Sequence, residues 1–403
     1  MRKFKQASGI LVQLGLFLLF VISLILIFKT LPNNNPSIGA QIGTQVPYPY
    51  AANTAVDSSV PTPTGIPIIP PAEDARGTIY YFSSISAEEM VLEAVEVDAY
   101  GMPLGGSQRK SDKGIRAANL IFPDSEGKYA AINYSFRMDL LDLETGKYLP
   151  LNDPIRKVFY DWYPDGHQIL VQYDTALYLY DPISDNTRLI YEPNYGDVGG
   201  GAVSPDGRKV VFSYRKGFND PTQIWISDIN GRNAALIDDG SSGDSFAWSP
   251  DGTTIAFYGA GLMTMNADGG NLQSISRHVA PLGYLIPPKW SPDSRLIAIV
   301  CLKDRPEEAG GTSDEDSYGS MPDRYTIHII DVLAREEFSL DQLVQDGALD
   351  PAWSPDGRLL AFTLSKDGSN QIWVYDLQPQ EVYPLVEDGS SRYPMWVRSG
   401  QSN

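Results

Sequence analysis

His167, His278 and His328 are the three imidazoles of this 403-residue chain, and Cys301 is its one thiol. Metal binding and general acid–base chemistry draw on such side chains, yet no two of the histidines stand at the roughly three-to-five-residue spacing of a zinc motif. His167 falls in the turn after Pro164-Asp165-Gly166, His278 in a loop, and His328 in the strand-like run Tyr325 to Ile330. Cys301 lies in the apolar run Leu296 to Leu302 with no sequence neighbour to lower its pKa, so it reads as a buried structural thiol. Five aspartates, Asp165, Asp206, Asp251, Asp293 and Asp356, recur along the chain and invite comparison with the paired carboxylates of glycoside chemistry. Each stands at the same point of a repeated phrase, which makes turn stabilisation their role. The tryptophans Trp248, Trp290 and Trp353 also share one repeat position and read as packing residues. Neither a catalytic centre, a resident metal nor a cofactor is implied.

The phrases that carry these residues are IFPDSEGKYAAI, WYPDGHQILV, VSPDGRKVVF, WSPDGTTIAF, WSPDSRLIAI and WSPDGRLLAF. Their prolines, Pro123, Pro164, Pro205, Pro250, Pro292 and Pro355, are separated by 41, 41, 45, 42 and 63 residues, the period of a propeller blade. Serine, a proline with φ already near −65°, and glycine at the fourth position suit a type I turn between two strands. A β-branched, apolar run follows each turn, then a second strand ending in an acidic or amide turn such as Asp228 or Asp376. A four-stranded unit of this kind cannot bury both faces alone, so its copies must stack around an axis.

The ends of the repeat region set the blade count. Tyr393-Pro-Met-Trp396 looks like a first strand with no blade behind it. Thr78 to Phe82 and Met90 to Asp98 look like later strands with no first strand ahead. Joined, they predict an all-β, seven-bladed β-propeller over residues 77–403, with six or eight blades as alternatives, and closure removes an exposed sheet edge.

These repeats resemble the TolB-like β-propeller family, whose signature is W-S-P-D-G followed by an apolar strand and an I-W-x-x-D-x-x-G strand. Five of the six phrases match closely and Ile121-Phe-Pro-Asp124 matches in part. The likeness covers about residues 77 to 403 and implies the fold, while function lies in sites added to it. The α/β domain that precedes the propeller in TolB itself does not fit in residues 1–76. The hydrolase domain that follows similar propellers in prolyl oligopeptidase-like peptidases is not expected either, nor is a G-x-S-x-G elbow found.

One blade is interrupted. The 63-residue step holds an insertion at 303–324, between the second and third strands of its blade, with seven acidic residues. Glu307, Glu308, Asp314 and Glu315, with Asp316, Tyr318 and Asp323, make a candidate partner-contact loop, because an insertion on a regular ring is the natural seat of specificity. The alternatives are a solvated loop without a role and a calcium loop, although the D-x-[DN]-x-[DN]-G pattern is absent.

Ahead of the propeller, residues 1–9 carry Arg2, Lys3 and Lys5, and Ile10 to Phe28 form 19 residues with one amide and no charge. A helix of that length is about 28 Å long, close to the roughly 30 Å core of a bilayer, and exceeds a cleaved signal's apolar region. The expectation is an uncleaved single-pass anchor in the cell membrane, with a cytoplasmic N-terminus and an extracytoplasmic propeller, periplasmic or extracellular. Residues 29–76, proline-rich and poor in charge, predict a disordered linker with a span of roughly 40 Å. Without residues 1–76 the charge is −21 (26 basic, 47 acidic), which speaks against a nucleic-acid partner. A single cysteine permits no intramolecular disulfide, so the core and ring closure must supply stability.

The favoured expectation is a membrane-tethered, non-enzymatic scaffold that binds a protein partner in the cell envelope. The alternatives are a polysaccharide-acting lyase or hydrolase, and a propeller that binds a glycan or solute. Convergent histidine and acidic side chains at one mouth of the central channel would favour the enzyme.

Overall fold

The computed structural model describes residues 76–398 apart from 112–113, 117–119, 125, 135–136, 150, 152–156, 218–219, 240–242, 279–285 and 304–323. The described residues form seven antiparallel sheets, here blades 1 to 7. Blades 1 to 6 cover residues 120–149, 157–191, 197–239, 244–276, 289–339 and 347–386, each with four strands in sequence order. Blade 7 takes its first strand from Ser391–Arg398 and its others from Gly77–Ser84, Glu89–Val97 and a fourth strand in two pieces, Gln108–Arg109 and Ile115–Arg116. The Gly77–Ser84 strand is therefore hydrogen-bonded on both sides, with Gly77 opposite Arg398 and opposite Val97. This is the predicted closure by two chain fragments.

First strands of successive blades touch one another from blade 2 round to blade 7. The buried hydrophobic side chains gather in seven clusters, one at each interface between neighbouring blades. Strand alternation produces this, since odd and even residues of a strand face opposite neighbours. In blade 5, Val300, Ile327 and Ile329 face blade 6, while Ile297, Ile299 and Ile330 face blade 4. Cys301 is buried, as expected.

The repeated turn works as its residues suggest. In blade 6, Gly357 N–H donates to Ser354 O at 2.9 Å, and Ser354 Oγ donates to Asp356 Oδ1 at 2.6 Å. The aspartate also accepts from Arg358 N at 3.2 Å, and Ser354 Oγ accepts from Leu359 N at 2.9 Å. Blades 3, 4 and 5 repeat the pattern, so these aspartates are turn residues. Four tryptophan indoles reach back one blade: Trp162, Trp248, Trp290 and Trp353 donate to the carbonyls of Phe122, Ala202, Ala247 and Lys289 at 2.9–3.1 Å.

Blade 1 departs from the expected alignment by two residues. Asp124, not Phe122, takes the serine's place: its N–H bonds Tyr129 O at 2.9 Å, as Ser204 N–H bonds Lys209 O, and Gly127 N–H closes onto Asp124 O at 3.2 Å. Pro123 is thus a strand residue rather than the turn proline.

The insertion leaves where expected, between Leu296–Leu302 and Tyr325–Asp331, with Lys303 N–H bonded to Arg324 O at 2.9 Å. Connections between second and third strands lie at the end of the ring opposite the Ser-Pro-Asp-Gly turns, and the stems Lys303 and Arg324 stand at that end. Among the described residues no helix is long and apolar enough to cross a membrane.

Candidate functional site: the axial funnel and a rim cluster

Residues lining the axis come from the first strands, and the position before the repeat's tryptophan, which blades 1 and 3 replace with Pro123 and Val203, decides their chemistry. Reading round the ring, that position holds Phe122, Asp161, Ala202, Ala247, Lys289, Ala352 and Met395. Two charges of opposite sign therefore stand among small and apolar neighbours. Asp161 is held by the N–H groups of Trp162 at 2.9 Å and Val203 at 2.8 Å. Burial outweighs those bonds and the field of Lys289, and pushes its carboxyl up to about 7. The same burial pulls Lys289 below the usual lysine range, against the fields of Asp161 and Asp350. The Lys289 Nζ also lies 5.6 Å from the Phe122 ring centroid.

A cavity of about 600 Å³ runs along the first strands of blades 1, 4, 5, 6 and 7. Prolines and aromatics dominate its wall, including Phe122, Pro250, Trp290, Pro292, Trp353 and Pro394, with Lys289 and Asp350 as polar points. Bulges help aim this wall. The pairing of first and second strands slips at Leu349/Ala352 in blade 6, and Asp350 there has φ 53°, a left-handed conformation costing an ordinary residue about 1–2 kcal/mol. Thr363 Oγ1 donates to Asp350 Oδ2 at 2.8 Å and holds it. Tyr393, with φ 57°, occupies the matching bulge of blade 7, and burial pushes its phenol up to about 12.

The second constellation lies on the rim, where blade 4 meets blade 5. His328, on the third strand of blade 5, and His278, just beyond the last strand of blade 4, have ring centroids 4.3 Å apart. Glu337, on the outer strand Glu336–Ser339, accepts from both: Oε1 lies 2.5 Å from His328 Nδ1 and 2.6 Å from His278 Nδ1. Its other oxygen accepts from Ser276 Oγ at 2.9 Å. Burial pushes the Glu337 carboxyl up, but the bonds from His328 and Ser276 and the two imidazoles' charges win and hold it below the usual range. The sequence spacing separates these histidines, and the fold brings two of them together. They are far apart in sequence and become neighbours only when blades stack. One signal was available: a histidine inside the run Tyr325–Asp331 needs a polar partner once buried.

His167 sits in its turn, its N–H bonded to Asp165 Oδ1 at 2.8 Å. The candidate contact loop, with Glu307, Glu308, Asp314, Glu315, Asp316, Tyr318 and Asp323, lies outside the described residues, as do the apolar segment 10–28 and the linker up to residue 75.

No family model matches the chain. It is 36% identical over 107 residues to the Tol-Pal system protein TolB of Alcanivorax borkumensis, a stretch that is 27% of this chain and 20% of that protein. It is 30% identical over 161 residues to an uncharacterized protein of Agrobacterium fabrum, covering 35% of this chain and 54% of the other. The chain thus spans about half and a fifth of the curated relatives it matches. Among solved structures, TolB from Acinetobacter baumannii covers 79% of this chain and 82% of its own at 17% identity, TM-score 0.44. A puromycin hydrolase covers 76% and 53% at 13% identity, TM-score 0.51. The likeness to the second structure shows the propeller fold alone.

Proposed function

We propose that this TolB-like propeller is a non-enzymatic interaction module of the cell envelope that takes an extended, apolar segment of a protein partner into its axial funnel. The observation that carries this reading is the make-up of the funnel wall: prolines and aromatics around a cavity of about 600 Å³, with Lys289 and Asp350 to fix an orientation. Among the described residues the cluster of two histidines and an acid lies where blade 4 meets blade 5. TolB belongs to the Tol-Pal system by its own name, which accords with a protein partner in the envelope.

In the same reading the apolar segment 10–28 tethers the ring to the membrane, with the propeller outside the cytoplasm. The acidic insertion is a second contact. Because it leaves from the end of the ring opposite the turns, the funnel mouth and the insertion engage different partners or different parts of one. Photo-crosslinking probes at Pro292 and Pro394 for the funnel, and at Tyr318 for the insertion, test this in native membranes. A discrete protein captured from the funnel supports the proposal. Glycan adducts without protein from the funnel sites sink it and favour the polysaccharide-acting alternative.

A further inference from the structure

We propose that His278, His328 and Glu337 form a transition-metal site, best fitted by Zn²⁺, that clasps blade 4 to blade 5 at the rim of the ring. Their ligand atoms all lie within 4.8 Å of one another. The set of two imidazoles and one carboxylate is that of a borderline cation such as Zn²⁺, whereas calcium and magnesium take oxygen ligands.

The arrangement exceeds what hydrogen bonding alone needs. Either histidine would satisfy Glu337 Oε1, yet both direct Nδ1 at that one oxygen. Zinc bonds of about 2.1 Å at tetrahedral angles set ligand atoms about 3.4 Å apart. The present separations of 2.5 and 2.6 Å therefore open by under about 1 Å, within reach of small side-chain rotations, as the cation replaces the two Nδ1 protons. Ser276 supplies the outer support: it is buried, its Oγ holds the second carboxylate oxygen at 2.9 Å, and it accepts from the His278 N–H at 3.1 Å. His328 is 8% exposed at its side chain, while His278 and Glu337 keep 17% and 24%, which leaves a path for the ion and a position for water as fourth ligand.

The clasp has a structural use. Six buried hydrophobic residues form the described cluster between blades 4 and 5, against seventeen between blades 5 and 6. A metal gripping both blades compensates the thinner core.

The test uses the full chain, purified in mild detergent, stripped with chelator and titrated with Co²⁺ and then Zn²⁺ at pH 7.5. One equivalent of Co²⁺ should give the visible d–d bands of a four- or five-coordinate nitrogen–oxygen site, Zn²⁺ should displace it, and saturation should raise the melting temperature by several degrees. His328→Gln and Glu337→Gln should each weaken binding at least tenfold, and Ser276→Ala about tenfold. His278→Ala, at a more exposed ligand, serves if the others do not fold, with the same loss expected. A chain lacking 304–323 should bind unchanged. Absence of saturable one-equivalent binding, or binding indifferent to all four substitutions, overturns the proposal; indifference combined with loss on deleting 304–323 places the metal in the acidic insertion instead.

Discussion

Blade 5 presents two unlike faces to its neighbours. Toward blade 6 it offers Val300, Tyr325, Ile327, Ile329 and Phe338, which interlock with Trp353, Leu360 and Phe362. Toward blade 4 the same strands show Ile297, Ile299 and Ile330, then turn polar with His328 and Glu337. Even the turn follows suit: blade 5 has Ser294 where blade 6 has Gly357, and Ser294 Oγ accepts from the Asp251 N–H of blade 4 at 2.9 Å. A propeller needs every interface closed but not every interface apolar. The polar one is where chemistry could be added without opening the ring.

The comparison breaks most visibly at its apolar side. Phe362→Ala, at a residue with no exposure, should cost about 3–5 kcal/mol in denaturant unfolding, since the cavity cannot collapse between two sheets. On the polar side Glu337→Ala, in chelator, should cost about 1–3 kcal/mol, because two imidazoles and Ser276 lose their acceptor. A cost as large as that of Phe362→Ala would show the polar interface to be the stronger clamp.

Acid separates the two sides further. Glu337 titrates below the usual value of 4.5 in the folded protein, so its contribution is complete above that value and is lost as pH falls through the folded pKa. Asp161 has the opposite sign: with its pKa pushed up to about 7, it weakens the fold as pH rises from about 4 to 7. Both terms act in the wild type, but Glu337→Gln keeps only the second. Wild type should therefore lose more stability than Glu337→Gln between pH 5 and pH 3, read from urea midpoints. Equal losses would remove Glu337 from the interface's energetics.

Smaller effects sharpen the contrast. Trp353→Phe removes the indole N–H from Lys289 O and should cost about 1 kcal/mol by thermal unfolding. Ser294→Gly relieves a left-handed residue at φ 64° but gives up the bond from Asp251, so it should leave stability within about 1 kcal/mol of wild type. A clear gain would mean that the inter-blade bond contributes nothing.

Much of this architecture was legible because it repeats. Ser204, Ser249, Ser291 and Ser354 make the same bonds in four blades, and a turn repeated that often announces itself. Closure was legible because Tyr393 to Trp396 and Thr78 to Phe82 are complementary fragments of one unit. Blade 1 misled because Pro123-Asp124 copies the phrase's letters, while hydrogen bonding picks out Asp124 and Gly127 as the turn's ends. The rim cluster was hidden for a different reason. Glu337 is 59 residues from His278 and 9 from His328, and no local period relates them. Only the facing of one blade on the next does so. The funnel charges lay between these extremes, since aligning the repeats on their tryptophans would have set Asp161 and Lys289 apart from Ala202, Ala247 and Ala352.

The strand that closes the ring also sets the order in which the molecule can be finished. Ser83 and Ser391, whose hydroxyls meet at 2.9 Å, are 308 residues apart. The length-dependent part of closing such a loop is about 5 kcal/mol, recovered only when the last strand docks. During synthesis six blades can stack as an open crescent while Gly77–Ser84 waits with one edge bare. The contacts that close the ring therefore join the two ends of the propeller and exist only once Ser391–Arg398 has docked on Gly77–Ser84.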